Sequence, residues 1–210
     1  MLRATLLSFS FLLAGGVCQA QWEIGAFGGF AKDIGVKVER GSNSVNAGFK
    51  PGPIVGVHAG QTGNRLGAEV TYLYRAGAAQ LDGSGQKAEF GAEQHLITAD
   101  FLWHFGAKDA KVRPFFLFGG GARAIRGNGA EHAFQALNQY AVLTRTTEVN
   151  YTGDVGVGVK VRFAKICQFR AEFRDYIGPG SANVIAISPG AQKTGVLNDL
   201  MGLVGISFVF

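Results

Sequence analysis

The chain has 210 residues, of which 20 are basic and 15 are acidic, and its formal net charge is +5. The basic residues are scattered and form no run, so the sequence does not support nucleic-acid binding. After the first 20 residues no apolar stretch approaches the about 18 residues that a membrane-spanning helix needs, which excludes a helical membrane protein.

The first segment, residues 1–20, has the layout of a secretory signal peptide. Arg3 precedes an apolar run, and small residues surround Ala20, after which we predict cleavage. A lipidated Cys18 is the alternative, and it is disfavoured because Val17 stands where lipoprotein signals carry a small residue. The sequence therefore predicts an exported protein.

The remaining chain, residues 21–210, is expected to form a single domain without an internal disulfide, because its only cysteine is Cys167. Apolar residues recur there with a period of two, which is typical of β-strands. We predict eight strands, at residues 22–31, 53–61, 66–75, 94–105, 112–124, 149–163, 167–176 and 197–210.

The connections between these strands alternate in length. The short ones are residues 62–65, 106–111 and 164–166, and the long ones are residues 32–52, 76–93, 125–148 and 177–196. Sequential antiparallel strands joined in this way form an up-and-down meander. The sequence therefore predicts an all-β fold, an eight-stranded antiparallel barrel with its long loops at one end.

Alternation alone does not decide which face of the strands lies inside. A soluble barrel buries its apolar face, whereas a membrane barrel turns that face outward. Four glycines share the polar faces with arginine and lysine: Gly119, Gly121, Gly156 and Gly158. A glycine in a solvent-facing strand loses packing, but inside a narrow barrel it leaves room for a long charged neighbour. The glycines therefore favour a polar interior, and a soluble periplasmic barrel is the alternative.

With the polar faces inward, basic and acidic residues nearly balance, as buried charges require. The basic set is Arg75, Arg113, Arg123, Lys160, Arg162, Arg170 and Arg174. The acidic set is Glu23, Glu69, Asp100, Asp154, Glu172 and Asp199. Because an eight-stranded barrel is just wide enough for side chains, we expect a salt-bridged plug in the lumen. An ordinary solvated face of mixed charge is the alternative.

The last strand alternates apolar residues up to the final residue, Phe210. Together with the signal peptide, the eight strands and the stretches "RPFFLFGGGARA" and "FRAEFRDYIG", it resembles the small outer-membrane β-barrel family of the OmpA/OmpX type. The resemblance implies a monomeric transmembrane barrel in the outer membrane of a Gram-negative bacterium, with short periplasmic turns and long extracellular loops. It also implies that Ile206, Phe208 and Phe210 form the signal read by the barrel-assembly machinery.

Enzymatic signatures are absent from the sequence. None of the four histidines has the spacing to serine of the lipid A deacylases, and charges in the lumen argue against a palmitoyltransferase. A triad of His58 or His104 with Asp100 stays an alternative. No cluster of residues has the spacing of a metal site, and no phosphate-binding loop is present, so we expect no cofactor and no metal.

The long loops are the remaining candidates for function. Residues 32–52 carry the basic side chains Lys32, Lys37, Arg40 and Lys50, which are suited to the phosphates of lipopolysaccharide. Residues 125–148 show a helix-like apolar spacing that predicts a short helix over the barrel mouth or a contact surface for a partner, and a loop packed on its neighbours is the alternative. We therefore expect a non-enzymatic envelope or surface-interaction protein. A small low-conductance pore and a lipid A-modifying enzyme are the alternatives.

Overall fold

The computed structural model describes residues 21–132 and 134–210. The predicted signal peptide, with Cys18 and the cleavage after Ala20, lies outside the described residues. The described chain forms the strands β1 (Gln21–Ile34), β2 (Val36–Arg40), β3 (Asn43–Phe49), β4 (Gly52–Thr62), β5 (Leu66–Gly83), β6 (Gln86–His104), β7 (Val112–Gly127), β8 (Ala141–Leu143), β9 (Thr147–Arg162), β10 (Cys167–Gly178), β11 (Ile185–Ile187), β12 (Gln192–Thr194) and β13 (Leu197–Val209). It contains no helix long and apolar enough to cross a membrane.

Eight of these strands close into a barrel. Their order around the barrel is β1, β4, β5, β6, β7, β9, β10 and β13, and each strand is antiparallel to the next. The circle closes where β13 pairs with β1, from Glu23↔Val209 to Ile34↔Asn198. Closure satisfies the edge of every barrel strand, as a bilayer requires. The predicted eight-stranded antiparallel barrel is confirmed.

Some strands are longer than the sequence predicted. The ladder between β5 and β6 continues to Gly83↔Gln86, through residues 76–93 where we predicted a loop. The tip is a two-residue turn, in which Ser84 has φ 53° and Gly85 has φ 73°. Two positive φ values give the turn that best matches the twist of paired strands. The hairpin therefore needs no long loop.

The other long connections also carry ordered structure. Residues 32–52 fold into the hairpin of β2 and β3. The short helix predicted in residues 125–148 is wrong, because the chain forms a turn in which Tyr140 N–H donates to the carbonyl of Leu137 at 2.9 Å. Leu137 has φ 63°, a value that a right-handed helix does not contain. The apolar spacing instead reflects burial of Leu137 and Tyr140.

The barrel wall is apolar outside and polar inside. On β9, Val155 and Val157 are 43% and 57% exposed, whereas Asp154 and Lys160 are each 2% exposed. Exposed aromatic residues gather at the short-turn end, namely Trp22, Trp103, Phe105, Phe163 and Phe210. This is the arrangement of a membrane barrel with an aromatic girdle, and the reverse of a soluble barrel.

Beyond the long-loop end of the membrane band, the connections pack into a second apolar core, here called the cap. The cap consists of Val36, Val38, Val45, Ala47, Phe49, Ala79, Leu81, Phe90, Ala92, Ile125, Leu137, Tyr140, Ala141, Leu143, Val184, Ile185 and Leu197. Residues from the inward faces of β5, β6, β7 and β13 contribute to it, so the cap continues the barrel interior outward.

Polar contacts fasten the rim of the cap. The Glu148 carboxylate accepts hydrogen bonds from the backbone N–H groups of Ala182 and Asn183 at 3.0 and 2.6 Å. Near the tip of the β5–β6 hairpin, Lys87 and Asp82 form an ion pair at 2.9 Å. The hydrogen bond to Asp82 raises the pKa of the Lys87 ammonium. The long-loop end is therefore a folded layer on top of the barrel.

Candidate functional site

The barrel interior is the candidate functional site because it gathers most of the predicted charged residues. Twelve of them are buried: Glu23, Glu69, Arg75, Asp100, Arg113, Arg123, Asp154, Lys160, Arg170, Glu172, Arg174 and Asp199. Arg162 differs, because its side chain is 26% exposed at the short-turn rim. It is the last residue of β9, and it donates to the carbonyl of Lys108 at 3.3 Å. Its predicted place within the network is therefore corrected to the mouth of the barrel.

The layer nearest the short turns is centred on Glu23 of β1. Its carboxylate accepts hydrogen bonds from Lys160 at 2.5 Å, from Ser207 at 2.8 Å and from Thr62 at 3.1 Å. Arg170 lies 3.6 Å from the same carboxylate. The carboxylate thus has partners on four other strands, and through Ser207 it links the first barrel strand, β1, to the last, β13.

The middle layer is built by two arginines of β10. Arg170 donates two hydrogen bonds, both 2.7 Å long, to the Glu69 carboxylate, and a third to Glu172 at 2.9 Å. Arg174 donates to Glu69 and Asp100 at 2.7 Å and to Glu172 at 2.8 Å. Charge-assisted bidentate pairs are the strongest hydrogen bonds in proteins. This layer is therefore a continuous network.

The layer nearest the cap is centred on Arg75 of β5. It donates to Asp33 at 2.7 Å, to Asp199 at 3.0 Å and to the backbone carbonyl of Lys50 at 2.6 Å. Arg123 lies 3.8 Å from the other oxygen of Asp199. These contacts join the upper barrel to the hairpin loop that begins the cap.

Arg113 does not join the ion-pair network. Although it is 5% exposed, it donates to the backbone carbonyls of Gly63 and Asn64 in the first short turn. The sequence placed it correctly on the inward face, but its partners are main-chain atoms.

Several members of the network were not among the predicted residues. Asp33 was assigned to a long loop, yet β1 extends to Ile34 and keeps Asp33 on the same face as Glu23. Ser207 and Thr62 are buried hydroxyls that bond Glu23. The period of two could have identified them. Ser207, for example, is separated from Asp199 by an even number of residues on β13, so both side chains lie on the inward face.

Glycines create the space for these charges. At Gly119 a Cβ atom would collide with the side chain of Asp100 and the carbonyl of Ala99. At Gly156 it would lie 3.1 Å from Cγ of Arg174. The lumen is therefore tightly packed, because the space beside these inward-facing glycines is occupied by the side chains of neighbouring acidic and basic residues.

Apolar rings complete the packing around the charges. The Arg170 guanidinium lies 4.8 Å from the ring centre of Phe115 and 5.2 Å from that of Phe27. Cations are stabilised over aromatic faces at such distances. The network is thus surrounded by aromatic side chains on opposite sides.

Among the described residues neither His58 nor His104 hydrogen-bonds Asp100, whose carboxylate accepts from Arg174 at 2.7 Å, so the triad with Asp100 is not assembled. His58 and Ser207 both bond Oε1 of Glu23, at 3.4 and 2.8 Å, so the carboxylate lies between the hydroxyl and the imidazole. A nucleophilic serine needs the imidazole beside its oxygen. His104 packs against Phe115 with a centroid distance of 5.8 Å. The described residues also contain no group of three or more His, Cys, Asp and Glu side chains arranged to hold a metal ion.

The short-turn mouth narrows to a cavity of about 10 Å³, lined partly by Glu23, Arg113, Lys160 and Arg162. That volume suffices for about one water molecule. Deeper in the lumen, polar atoms of Gln94, Arg123 and Asp154 have no hydrogen-bond partner among the described residues. The interior therefore has room and polar groups for single waters.

A closed eight-stranded barrel with an apolar wall, an aromatic girdle and a charged interior defines a small outer-membrane β-barrel. Comparison with known proteins supports this assignment. The profile of the outer membrane protein beta-barrel domain family matches residues 9–188, and this chain belongs to that family. The fold and the family indicate that the protein resides in the outer membrane, with its short turns periplasmic and its long loops extracellular.

Solved structures show the same fold at low sequence identity. Neisserial surface protein A is 13% identical, with a TM-score of 0.55 over 90% of this chain and 97% of its own. The N-terminal β-barrel domain of Pseudomonas aeruginosa OprF is 14% identical, with a TM-score of 0.51 over 91% of this chain and 98% of its own. No curated protein sequence matches this chain significantly.

Proposed function

We propose that this protein is a non-enzymatic outer-membrane barrel that is closed to ions and that stabilises the envelope and presents its cap to the exterior. The observation that carries the proposal is the bidentate pair between Arg170 and Glu69. The strands that carry them, β10 and β5, are four places apart in the ring of eight, so the pair crosses the full width of the lumen.

Two further features support a closed lumen. Lys160 to Glu23 and Arg75 to Asp199 also join strands three places apart, so crossing pairs recur along the barrel axis. Above them the cap fills the extracellular mouth with apolar side chains. An ion would have to break several buried ion pairs and then pass an apolar core, and both steps carry a large desolvation cost.

Planar-bilayer conductance of the refolded chain tests the proposal. Folding is verified first by the heat-dependent gel shift of a barrel. We expect a folded protein without single-channel steps at high salt. A paired Glu69→Ala and Arg170→Ala variant in a chain lacking the cap loops serves as the opened control. Reproducible steps from the unaltered protein would contradict the closed lumen.

The pore alternative has its own supporting observation. Gln94, Arg123 and Asp154 each have polar atoms without a hydrogen-bond partner, which are suited to water, and a file of waters could lead past the ion pairs. If the unaltered protein conducts, exchange of Arg123 or Arg162 for glutamate should change its ion selectivity. Unchanged selectivity would place the conducting path elsewhere.

The lipid A-modifying alternative is tested separately. We propose that the buried histidines are structural, because His58 stacks on Phe27 with ring centres 4.5 Å apart and contacts Glu23. Lipid A from cells expressing the protein should keep its acyl pattern, and His58→Ala and His104→Ala should leave it unchanged. An acyl change that depends on either histidine would establish an enzyme.

We also propose that the first extracellular hairpin contacts lipopolysaccharide. Lys32 and Lys37 are exposed, Arg40 donates to the carbonyl of Gln139 at 2.8 Å, and Lys50 pairs with exposed Glu89 at 3.0 Å. Exchange of these four residues for glutamine should weaken association with lipopolysaccharide. Unchanged association would leave the cap surface of residues 125–148 as the candidate contact for a partner.

A further inference from the structure

The charged side chains of the described residues are divided unevenly between the two ends of the barrel. The periplasmic turns and rim carry five basic side chains, Arg65, Lys108, Lys111, Arg162 and Lys165, and one acidic side chain, Asp109. The lumen and the extracellular layer together carry 14 basic and 14 acidic side chains. The positive net charge of residues 21–210 therefore resides at the periplasmic end.

The two ends of the barrel also differ in how their cations are paired with carboxylates. Three of the extracellular cations have nearby carboxylates, with Lys50 to Glu89 at 3.0 Å, Lys87 to Asp82 at 2.9 Å and Arg126 to Glu93 at 3.5 Å. At the periplasmic end Arg162 pairs with Asp109 at 3.8 Å, whereas Arg65, Lys111 and Lys165 have no carboxylate at ion-pair distance among the described residues. The positive charge of these three side chains is consequently not neutralised within the described part of the protein.

The exposed cations form a perimeter, here called the basic ring and consisting of Arg65, Lys111 and Lys165. Each comes from a different periplasmic turn, between β4 and β5, between β6 and β7, and between β9 and β10. These turns occur at every second junction of the eight-stranded circle, so the ring surrounds most of the barrel mouth. All three residues are exposed.

The ring adjoins the exposed aromatic and apolar side chains at the periplasmic edge of the barrel wall. Arg65 directly precedes Leu66, which pairs with Trp103 of the aromatic girdle. Lys165 lies between Phe163 and Ile166, which are 62% and 53% exposed. Aromatic girdles mark the membrane boundary. Because the turns are short, their basic side chains remain within reach of the boundary rather than extending into the periplasm.

We propose that the basic ring binds the phosphate groups of anionic phospholipids in the periplasmic leaflet and so surrounds this end of the barrel with them. Lysine and arginine next to an anionic leaflet are attracted by its surface potential. The mouth beside the ring is a cavity of about 10 Å³, which is too small to receive a peptide. A lipid headgroup needs no groove, only exposed cations at the right depth.

The protein carries its own probes for this proposal. Its only two tryptophans, Trp22 and Trp103, both lie in the periplasmic girdle and are 54% and 45% exposed to lipid. Their fluorescence in vesicles containing acyl-brominated phosphatidylglycerol is compared with that in vesicles containing acyl-brominated phosphatidylcholine. The quenching curves give the relative affinity for the two lipids at this end of the barrel.

We expect the unaltered protein to prefer phosphatidylglycerol by about fivefold, the effect of one basic side chain close to each bound headgroup. The variant Arg65→Gln, Lys111→Gln, Lys165→Gln should lose this preference, and high salt should reduce it in the unaltered protein. The control variant Lys87→Gln, Arg126→Gln, Arg145→Gln removes the same charge from exposed positions at the extracellular end, outside the proposed lipopolysaccharide contact, and should keep the preference.

Equal quenching by the two lipids in the unaltered protein would overturn the proposal. A preference that survives in the ring variant would also overturn it, because the ring would not be its cause. If lipid preference is absent but soluble polyglutamate binds and depends on the ring, the surface serves acidic macromolecules in the periplasm instead. The gel shift of every variant shows that it has folded, and none of these results depends on whether the lumen conducts.

Discussion

Arg170 and Glu69 face each other from opposite walls of the barrel and are joined by two hydrogen bonds of 2.7 Å. They are separated by 101 residues in the chain, and their side chains are 0% and 4% exposed. Each also contacts further members of the network, Arg170 through Glu172 and Glu69 through Arg174. The pair therefore holds the cross-section of the barrel at a defined width.

Removing one member of this pair should destabilise the barrel strongly. Arg170→Met leaves Glu69 and Glu172 with one fewer cation, and Glu69→Leu leaves two arginines with one fewer carboxylate. Loss of one partner from a buried ion pair costs about 3 to 5 kcal/mol, whereas loss of both costs much less than the sum. Reversible urea unfolding in lipid vesicles, with both single variants and the double variant, measures the coupling. Additive losses would show that the pair does not act as a unit.

The glycines that face inward should tolerate a methyl group poorly. Gly121→Ala places its Cβ against the backbone carbonyl of Ile97, so the strand must shift. We expect a loss of about 1 to 3 kcal/mol, as for overpacked cores. Gly28→Ala is the matched control, because a Cβ there meets nothing within 4 Å on the lipid side. Unfolding of the two variants side by side gives the comparison, and equal stabilities would contradict a tightly packed lumen.

Much of this architecture was accessible from alternation alone. The period of two assigns each residue to a face, and glycine beside arginine on one face shows that this face is inside. Asp33 and Ser207 obey the same period. Asp33 was missed because the predicted first strand ended at residue 31, and Ser207 was missed because only charged residues were assigned to the network. The inward face of each strand could therefore be predicted, whereas the full membership of the network could not.

The pairing of charges and the cap were not accessible in this way. Whether Glu69 meets Arg170 depends on the register and stagger of strands that lie on opposite sides of the circle, which no local pattern records. The cap unites residues as distant as Val38 and Ile185. Its segments are short and irregular. In residues 125–148 the buried Leu137 and Tyr140 are three residues apart, the spacing of a helix, although the chain forms a turn there.

The cap should unfold separately from the barrel. Leu81 and Leu143 are 0% and 1% exposed within it, and a Leu→Ala change in such a core costs about 2 to 5 kcal/mol. We expect Leu143→Ala to expose residues 125–148 to added protease while the heat-dependent gel shift of the barrel is retained. Phe134→Ala is the control, because that side chain is 78% exposed. Simultaneous loss of both readouts in Leu143→Ala would show that cap and barrel fold as one unit.

A charge on the outer wall should be costly only inside the membrane band. Val157 of β9 is 57% exposed and pairs with outward-facing Phe116 and Phe173, so its side chain meets lipid. Val196 is 56% exposed but lies in the extracellular layer, just before β13. Arginine near the middle of a barrel's lipid face costs about 2 to 4 kcal/mol, and near the interface about 0 to 1 kcal/mol. Val157→Arg should therefore lower the free energy of unfolding in vesicles by that larger amount, while Val196→Arg leaves it nearly unchanged. Because the two valines are equally exposed, equal effects would mean that the membrane band does not cover Val157.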